Sequence, residues 1–323
     1  MKGIEAGSGE RQKLLFIGGL GRSGSTLIEK LLNEYNDAFA IGESVHLWER
    51  GLRDNELCGC GEAFDECPFW QQVGTEAFGR WSEIDLPTAI SLRWKVDRSR
   101  QLRAIGKAHR RGFPSDAQQE YLDLIGNVLL AAGRAARIGT GATVVIDSSK
   151  HLSAAALYAL DPRLDVRVLH LLRDPRGVAY SWTKAISRPE AASAATMKSM
   201  PRYNPVRTAG RWVTDNLGFA RLTKLEIPVF RLRYEDFLDA PLESLTAIAE
   251  FAGIDADSLP SNVVDGRTAH VSTPMHSVAG NPLRFGASKV TLKLDDAWRE
   301  KLPAPQRLLV SAITAPARGR FGY

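Results

Sequence analysis

The sequence predicts an α/β fold, a central parallel sheet flanked by helices. Short β-branched runs alternate with stretches of helical period, which implies βαβ units. A glycine-rich turn joins the first such run to the first helix. The residues with chemical potential fall just after the runs, where open parallel sheets place their ligands. The chain has 323 residues, 44% hydrophobic and 24% charged. That is an ordinary globular mixture, and it excludes fibrous and wholly disordered classes. The length admits two average domains or one α/β unit with an insertion. The strand pattern stops near residue 50 and resumes near 140. One unit over 13–323 is therefore expected, with 50–140 a mostly helical insertion and 1–12 a flexible N-terminal segment.

Residues 13–18 (KLLFIG) form an apolar run closed by glycine and read as a buried strand. Leu27, Ile28, Leu31 and Leu32 then recur at helical spacing. Residues 37–42 (DAFAIG) read as a second strand, with Glu43 directly after it. Residues 55–70 are rich in glycine, cysteine and turn formers and read as irregular. Residues 87–111 read as one basic helix. Between 93 and 111 it carries eight Lys or Arg against a single acid, Asp97, which suggests a solvated face. Residues 115–139 read as a further helix. Tyr121, Ile125, Val128 and Ala132 share one face, Ser115 and Asp116 start it, and Gly139 stops it. Residues 142–147 (ATVVID), 166–172 (VRVLHLL) and 228–233 (PVFRLR) are the remaining strands.

Forty-two Lys and Arg against 37 Asp and Glu leave a net charge of +5. This suits an anionic ligand and is too weak to indicate nucleic acid. No uncharged apolar run approaches the ~18 residues of a membrane span. Residues 1–13 lack the apolar core of a secretory signal, so a cytoplasmic location is expected. Three cysteines exclude a disulfide-built scaffold. Cys58, Cys60 and Cys67 invite a zinc reading, but structural zinc takes four ligands. The fourth would have to be a distant histidine or carboxylate. The segment is read as a packed loop, without metal.

Gly19 to Thr26 (GLGRSGST) lies between strand and helix. Against the phosphate-loop pattern G-x-x-x-x-G-K-[ST], Gly19, Gly24 and Thr26 fit, and Ser25 stands where lysine belongs. The expected sheet is thus a P-loop-NTPase-like three-layer sandwich. Backbone N–H groups of the loop and of the following helix still suit an anion. Arg22 supplies a bidentate positive charge in place of the lysine. Further on, Asp174 can cap a helix whose first residue is Pro175. Arg173 then sits at a strand tip and Ser181 two turns into the helix, suited to clamp a second phosphate.

Together these segments resemble a known family. The run Gly21, Arg22, Ser23, Gly24, Ser25, Thr26, Leu27 resembles the 5′-phosphosulfate loop of PAPS-dependent sulfotransferases. Arg173 with Ser181 resembles that family's 3′-phosphate motif. Tyr234, Glu235 and Asp236 resemble its Tyr-Glu-Asp segment, whose tyrosine contacts the adenine. His276 with Gly280, Asn281, Pro282 and Arg284 resembles a C-terminal signature of bacterial members, placed to close over the nucleotide. The resemblance runs in order from about Lys13 to the final helices and is weakest in the helical block.

Such an enzyme moves a sulfuryl group from 3′-phosphoadenosine 5′-phosphosulfate (PAPS) to an acceptor hydroxyl or amine, leaving 3′-phosphoadenosine 5′-phosphate (PAP). The acceptor would be a small molecule, a glycan or a lipid. The reaction is close to in-line phosphoryl transfer, so catalysis rests on positioning, charge stabilisation and a general base. No metal is required. The resemblance implies that Arg22 and the N–H groups of Ser23 to Thr26 hold the phosphosulfate, with Ser25 and Thr26 donating hydroxyl bonds. Lys150 would neutralise the leaving phosphate, and Glu43 would be the base, with His151 and then His46 as rivals. Two other readings are a kinase with Thr26 and Asp147 on magnesium, and a nucleotide-binding module without chemistry. Acceptor choice is expected from the 50–140 block and from loops near 189–205. A homodimer is compatible with the chain.

Overall fold

A computed structural model describes residues 10–187, 199–285 and 289–323. Its centre is a five-stranded sheet in the order β2-β3-β1-β4-β5. These strands are β1 (Gln12–Gly18), β2 (Ala38–Gly42), β3 (Val144–Lys150), β4 (Leu164–Leu172) and β5 (Val229–Arg233). Every pairing among them is parallel. Along β1 successive side chains face opposite ways. Leu14 and Phe16 enter one core, while Leu15 and Ile17 enter the other. With both faces covered, the strand reads in sequence as one apolar run rather than an alternation.

Helices α1 (Ser25–Leu32) and α10 (Pro241–Ala252) cover the Leu15 face. The Phe16 face is covered by α5 (Asp116–Thr140) and α6 (Leu152–Tyr158). Between β2 and α5 lie α2 (Pro68–Phe78), α3 (Leu86–Val96) and α4 (Leu102–Arg111), so the 50–140 block is largely helical as expected. The C-terminal half adds α7 (Pro175–Ser181), α8 (Pro205–Phe219), α9 (Tyr234–Asp239), α11 (Trp298–Lys301) and α12 (Ala304–Arg318). A small antiparallel sheet joins β6 (Val264–Asp265), β7 (Thr268–His270) and β8 (Lys289–Thr291). Among the described residues no helix is long and apolar enough to cross a membrane.

Three local expectations change. The single basic helix over 87–111 is two helices, α3 and α4, broken after Asp97, where Arg98 is extended. Nor is its face wholly solvated, because Arg93 and Asp97 are buried. Arg93 Nη1 donates to both oxygens of Glu49 at 2.9 and 3.1 Å, and Trp94 Nε1 donates to the same carboxylate at 2.7 Å. A buried charge needs a partner, and Glu49 supplies it from 44 residues away. Helix α5 starts on the Ser115–Gln118 capping box but runs through Gly139 and stops at Gly141, whose φ of 83° gives the left-handed cap. Strand β3 continues three residues past the expected 147, with Lys150 in register beside Gly18.

Candidate active site

The parallel register carries the chemically active residues to one edge. Gly18 pairs with Lys150 on one side of β1 and with His170 on the other, and Gly42 pairs with Asp147. Glu43 follows β2, the glycine-rich loop follows β1, and Arg173 follows β4. This is the crevice beyond the carboxyl ends of the strands, beside the point where chain order reverses.

The loop enters α1 through Gly24, whose φ is 92°. A side chain there would also collide with the Tyr234 ring, 2.3 Å from an added Cβ. With glycine as the cap, no side chain occupies the first N–H groups of α1, which leaves them to an anion. Ser23 Oγ donates inward to the carbonyl of Leu20 at 2.7 Å and braces the turn. Arg22 also has a positive φ of 76°. Its guanidinium lies 5.0 Å from the Trp182 ring, and Nη2 donates to Met200 Sδ at 3.2 Å. Its buried Nε has no partner among the described residues, as a donor waiting for an anion would have none. Burial lowers the proton affinity of Arg22, and the Glu43 charge pulls it back up.

Glu43 meets Lys150 and His46. Lys150 Nζ donates to its Oε1 at 2.7 Å and to the Ser148 carbonyl at 2.6 Å, while His46 Nε2 lies 3.4 Å from Oε2. Burial pushes the Glu43 carboxyl up, but Lys150 and His46 outweigh it and hold the group well below the usual carboxylate range. His151 is pushed down to about 3, chiefly by burial. Its ring stands edge-on to His46 at 6.1 Å. An imidazole that binds protons so weakly is a poor base at neutral pH.

Arg173 is also at the edge, with Nη1 donating to the Arg22 carbonyl and Nη2 to the Asp295 carbonyl, both at 3.1 Å. Tyr234 packs its ring 5.3 Å from the same guanidinium. Asp174 caps α7 by accepting from Arg176 N–H at 2.8 Å, as the sequence suggests, and Ser181 is the last residue of that helix. A cavity of about 220 Å³ opens beside Arg173, lined also by Arg233, Trp298 and Arg299. Gly280 comes within 3.6 Å of Glu43 Oε1, measured from where its Cβ would be. Asn281 turns inward and accepts from Leu283 N–H at 3.0 Å. Arg284 is buried and donates to the carbonyls of Ser277 at 2.7 Å and Leu57 at 2.9 Å. It braces the closing loop from behind. The stretch 189–198 expected to shape the acceptor site lies outside the described residues.

Residues 15–258 match the model of the Sulfotransferase family. The chain belongs to the sulfotransferase family. Over 353 aligned residues it is 24% identical to mouse carbohydrate sulfotransferase 5, covering 98% of this chain and 82% of that relative. Human carbohydrate sulfotransferase 6 is 25% identical over 338 residues, covering 94% and 78%. The sulfotransferase domain of the Synechococcus PCC 7002 olefin synthase superposes with a TM-score of 0.51 at 18% identity over 98% of both chains, a likeness of fold. The protein is thus an enzyme that transfers sulfuryl groups.

Two residues of this sulfotransferase edge escaped the sequence reading. Glu29 lies in α1, buried, where it accepts from Gly42 N–H at 3.1 Å and from Ser148 Oγ at 2.7 Å. It ties the ends of β2 and β3 together behind Glu43 and Lys150. Burial raises its carboxyl to about 7. The available signal was an acid inside the apolar stripe Leu27, Ile28, Leu31. Trp182 follows Ser181, donates its indole N–H to the Gly21 carbonyl at 3.0 Å and backs Arg22. Asp147, which a kinase would need on magnesium, is already engaged. It is fully buried, accepts from Ser149 N–H at 2.7 Å and is hydrogen-bonded to Ser44 Oγ.

Proposed function

We propose that this sulfotransferase takes its sulfuryl group from PAPS and delivers it to a sugar hydroxyl, with Glu43 as general base. The observation that carries the reading is the Glu43 carboxylate held 2.7 Å from Lys150 Nζ at the mouth of the glycine-rich loop. A base and a leaving-group cation are the two charges in-line transfer needs. Arg22 and the first N–H groups of α1 receive the phosphosulfate. Arg173, with Ser181 and the cavity beside α7, receives the 3′-phosphate, and Tyr234 lies against the adenine. Gly280 and Asn281 close the loop over the nucleotide. The sugar acceptor is inferred from the two carbohydrate sulfotransferases similar to this chain.

In the transfer step the acceptor O–H gives its proton to Glu43. The acceptor oxygen bonds to sulfur as the bond from sulfur to the 5′-phosphate oxygen breaks. The electron pair stays on that phosphate oxygen, where Lys150 neutralises it. Glu43 at rest is a weak base because Lys150 stabilises its anion. As Lys150 gives its charge to the phosphate oxygen, Glu43 loses that attraction and binds the proton more strongly. No step needs a metal.

The test combines calorimetry with transfer assays. PAP should bind without metal and more tightly than ATP with magnesium, and Arg22→Ala should weaken it. Radiolabelled PAPS should then label sugar hydroxyls in an acceptor panel that also holds phenols and long-chain alcohols. Preference for ATP with magnesium overturns the donor. Labelling confined to phenols or long-chain alcohols overturns the acceptor.

A further inference from the structure

We propose that Cys58, Cys60, Cys67 and His276 form a structural zinc site that fastens the C-terminal loop to the start of the helical insertion. The sequence showed three thiols and no fourth ligand; the fold brings one from 209 residues away. The four ligand atoms all lie within 4.8 Å of one another. Cys60 Sγ and Cys67 Sγ are 3.7 Å apart, and Cys67 Sγ is 3.2 Å from His276 Nδ1. Tetrahedral zinc, with Zn–S of about 2.3 Å and Zn–N of about 2.1 Å, spaces two sulfurs by about 3.8 Å and sulfur from nitrogen by about 3.6 Å. The sulfurs stand at the separation of ligands around one ion, and all three cysteines are free thiols.

The donor set selects the metal. Three thiolates and an imidazole suit zinc, whereas magnesium and calcium take oxygen. Four protein ligands leave no open position, which is the mark of a structural rather than a catalytic zinc. The surroundings hold the ligands in place. The His276 ring packs against a pair of rings, Phe39 at 5.9 Å and 7° and Phe69 at 5.2 Å and 28°, which are themselves 4.7 Å apart. Trp70 Nε1 donates to the His276 carbonyl at 3.0 Å. Cys58 N–H donates to the Glu62 carbonyl at 2.8 Å, and Cys67 N–H to that of Ala63 at 3.0 Å. One residue between Cys58 and Cys60 is tighter than the usual two to four. That residue is Gly59, where a Cβ would stand 2.5 Å from the Met275 carbonyl oxygen. Only glycine lets the histidine strand come this close.

The site sits where fastening matters. Two residues after His276, Val278 N–H donates to the Ile41 carbonyl, and Glu43 N–H donates to the Val278 carbonyl, both at 3.0 Å. Zinc would lock this added strand to the edge of β2, and with it the approach of Gly280 to Glu43.

The test uses the untagged full-length chain purified without chelators. Elemental analysis should find one zinc per chain, released when a mercurial titrates three thiols. Cobalt in its place should show thiolate charge transfer and tetrahedral ligand-field bands. Cys60→Ser and His276→Ala should lose zinc to a chelator that leaves the parent loaded, while Ser115→Ala keeps it. Where a variant fails to fold, the cobalt spectrum and the mercurial titration of the parent decide alone. Three freely reactive thiols in zinc-supplemented protein, a mass two hydrogens lower, or a His276→Ala chain that holds zinc as the parent does would each overturn the site.

Discussion

The carboxyl edge of the sheet and the 50–140 insertion are ordered by different means. At the edge, Glu43, Lys150 and Arg173 each stand at a strand's last residue or directly after it, so backbone register sets their places. In the insertion, the decisive contacts join side chains far apart in the chain, such as Arg93 with Glu49. Edge charges gather at the carboxyl ends of the strands. The insertion's Arg93 is buried against a fixed partner. A substitution at the edge should therefore cost catalysis, and one in the insertion should cost stability.

Glu43→Gln tests the edge most severely. It should lower sulfuryl transfer by about 10²- to 10⁴-fold, the range of a lost general base, with PAP binding by calorimetry little changed. Full turnover would move the base to a histidine and detach function from strand register. The insertion's counterpart is Arg93→Met, which strands Glu49 in the core. Breaking a buried pair from one side costs about 3–5 kcal/mol, to be read from urea unfolding. A cost under about 1 kcal/mol would place that pair with ordinary surface contacts and erase the contrast.

Glu29 sharpens the comparison because it is an edge residue that acts on stability. Its carboxyl rises from 4.5 to about 7, burial being the main cause. The folded chain then holds a proton that the unfolded chain releases. The stabilisation is complete below about pH 4.5 and is lost as pH rises through about 7. Glu29→Gln should match the parent near pH 4.5 and exceed it above pH 8 by about 3 kcal/mol at most. Parallel stability curves from pH 4.5 to 8.5 would sink the assignment. The smallest effect is Ser115→Ala, which removes the capping box of α5 and should cost about 1 kcal/mol with transfer unchanged.

The legible parts are those whose causes are local. A glycine-rich turn between KLLFIG and a Leu-Ile stripe marks strand, loop and helix. Asp174 before Pro175 marks the start of α7, and both stand as read. Errors arose where local rules met a competing tertiary demand. Helix α5 passed Gly139 because the left-handed cap was met two residues later, at Gly141. The basic run 87–111 broke because Arg93 and Asp97 went into the core.

By itself the sequence determined the parallel α/β sheet, the glycine-rich turn from strand to helix and the presence of an acid, a lysine and two arginines at strand ends. Each follows from hydrophobic period, glycine conformation or a cap, and these act over a few residues. Tertiary structure alone decided that Arg93 meets Glu49 across 44 residues, His276 meets Cys67 across 209, and Arg284 meets Leu57 across 227. Such pairs form because a buried charge or donor must find a partner, and only the packed chain says which one is within reach.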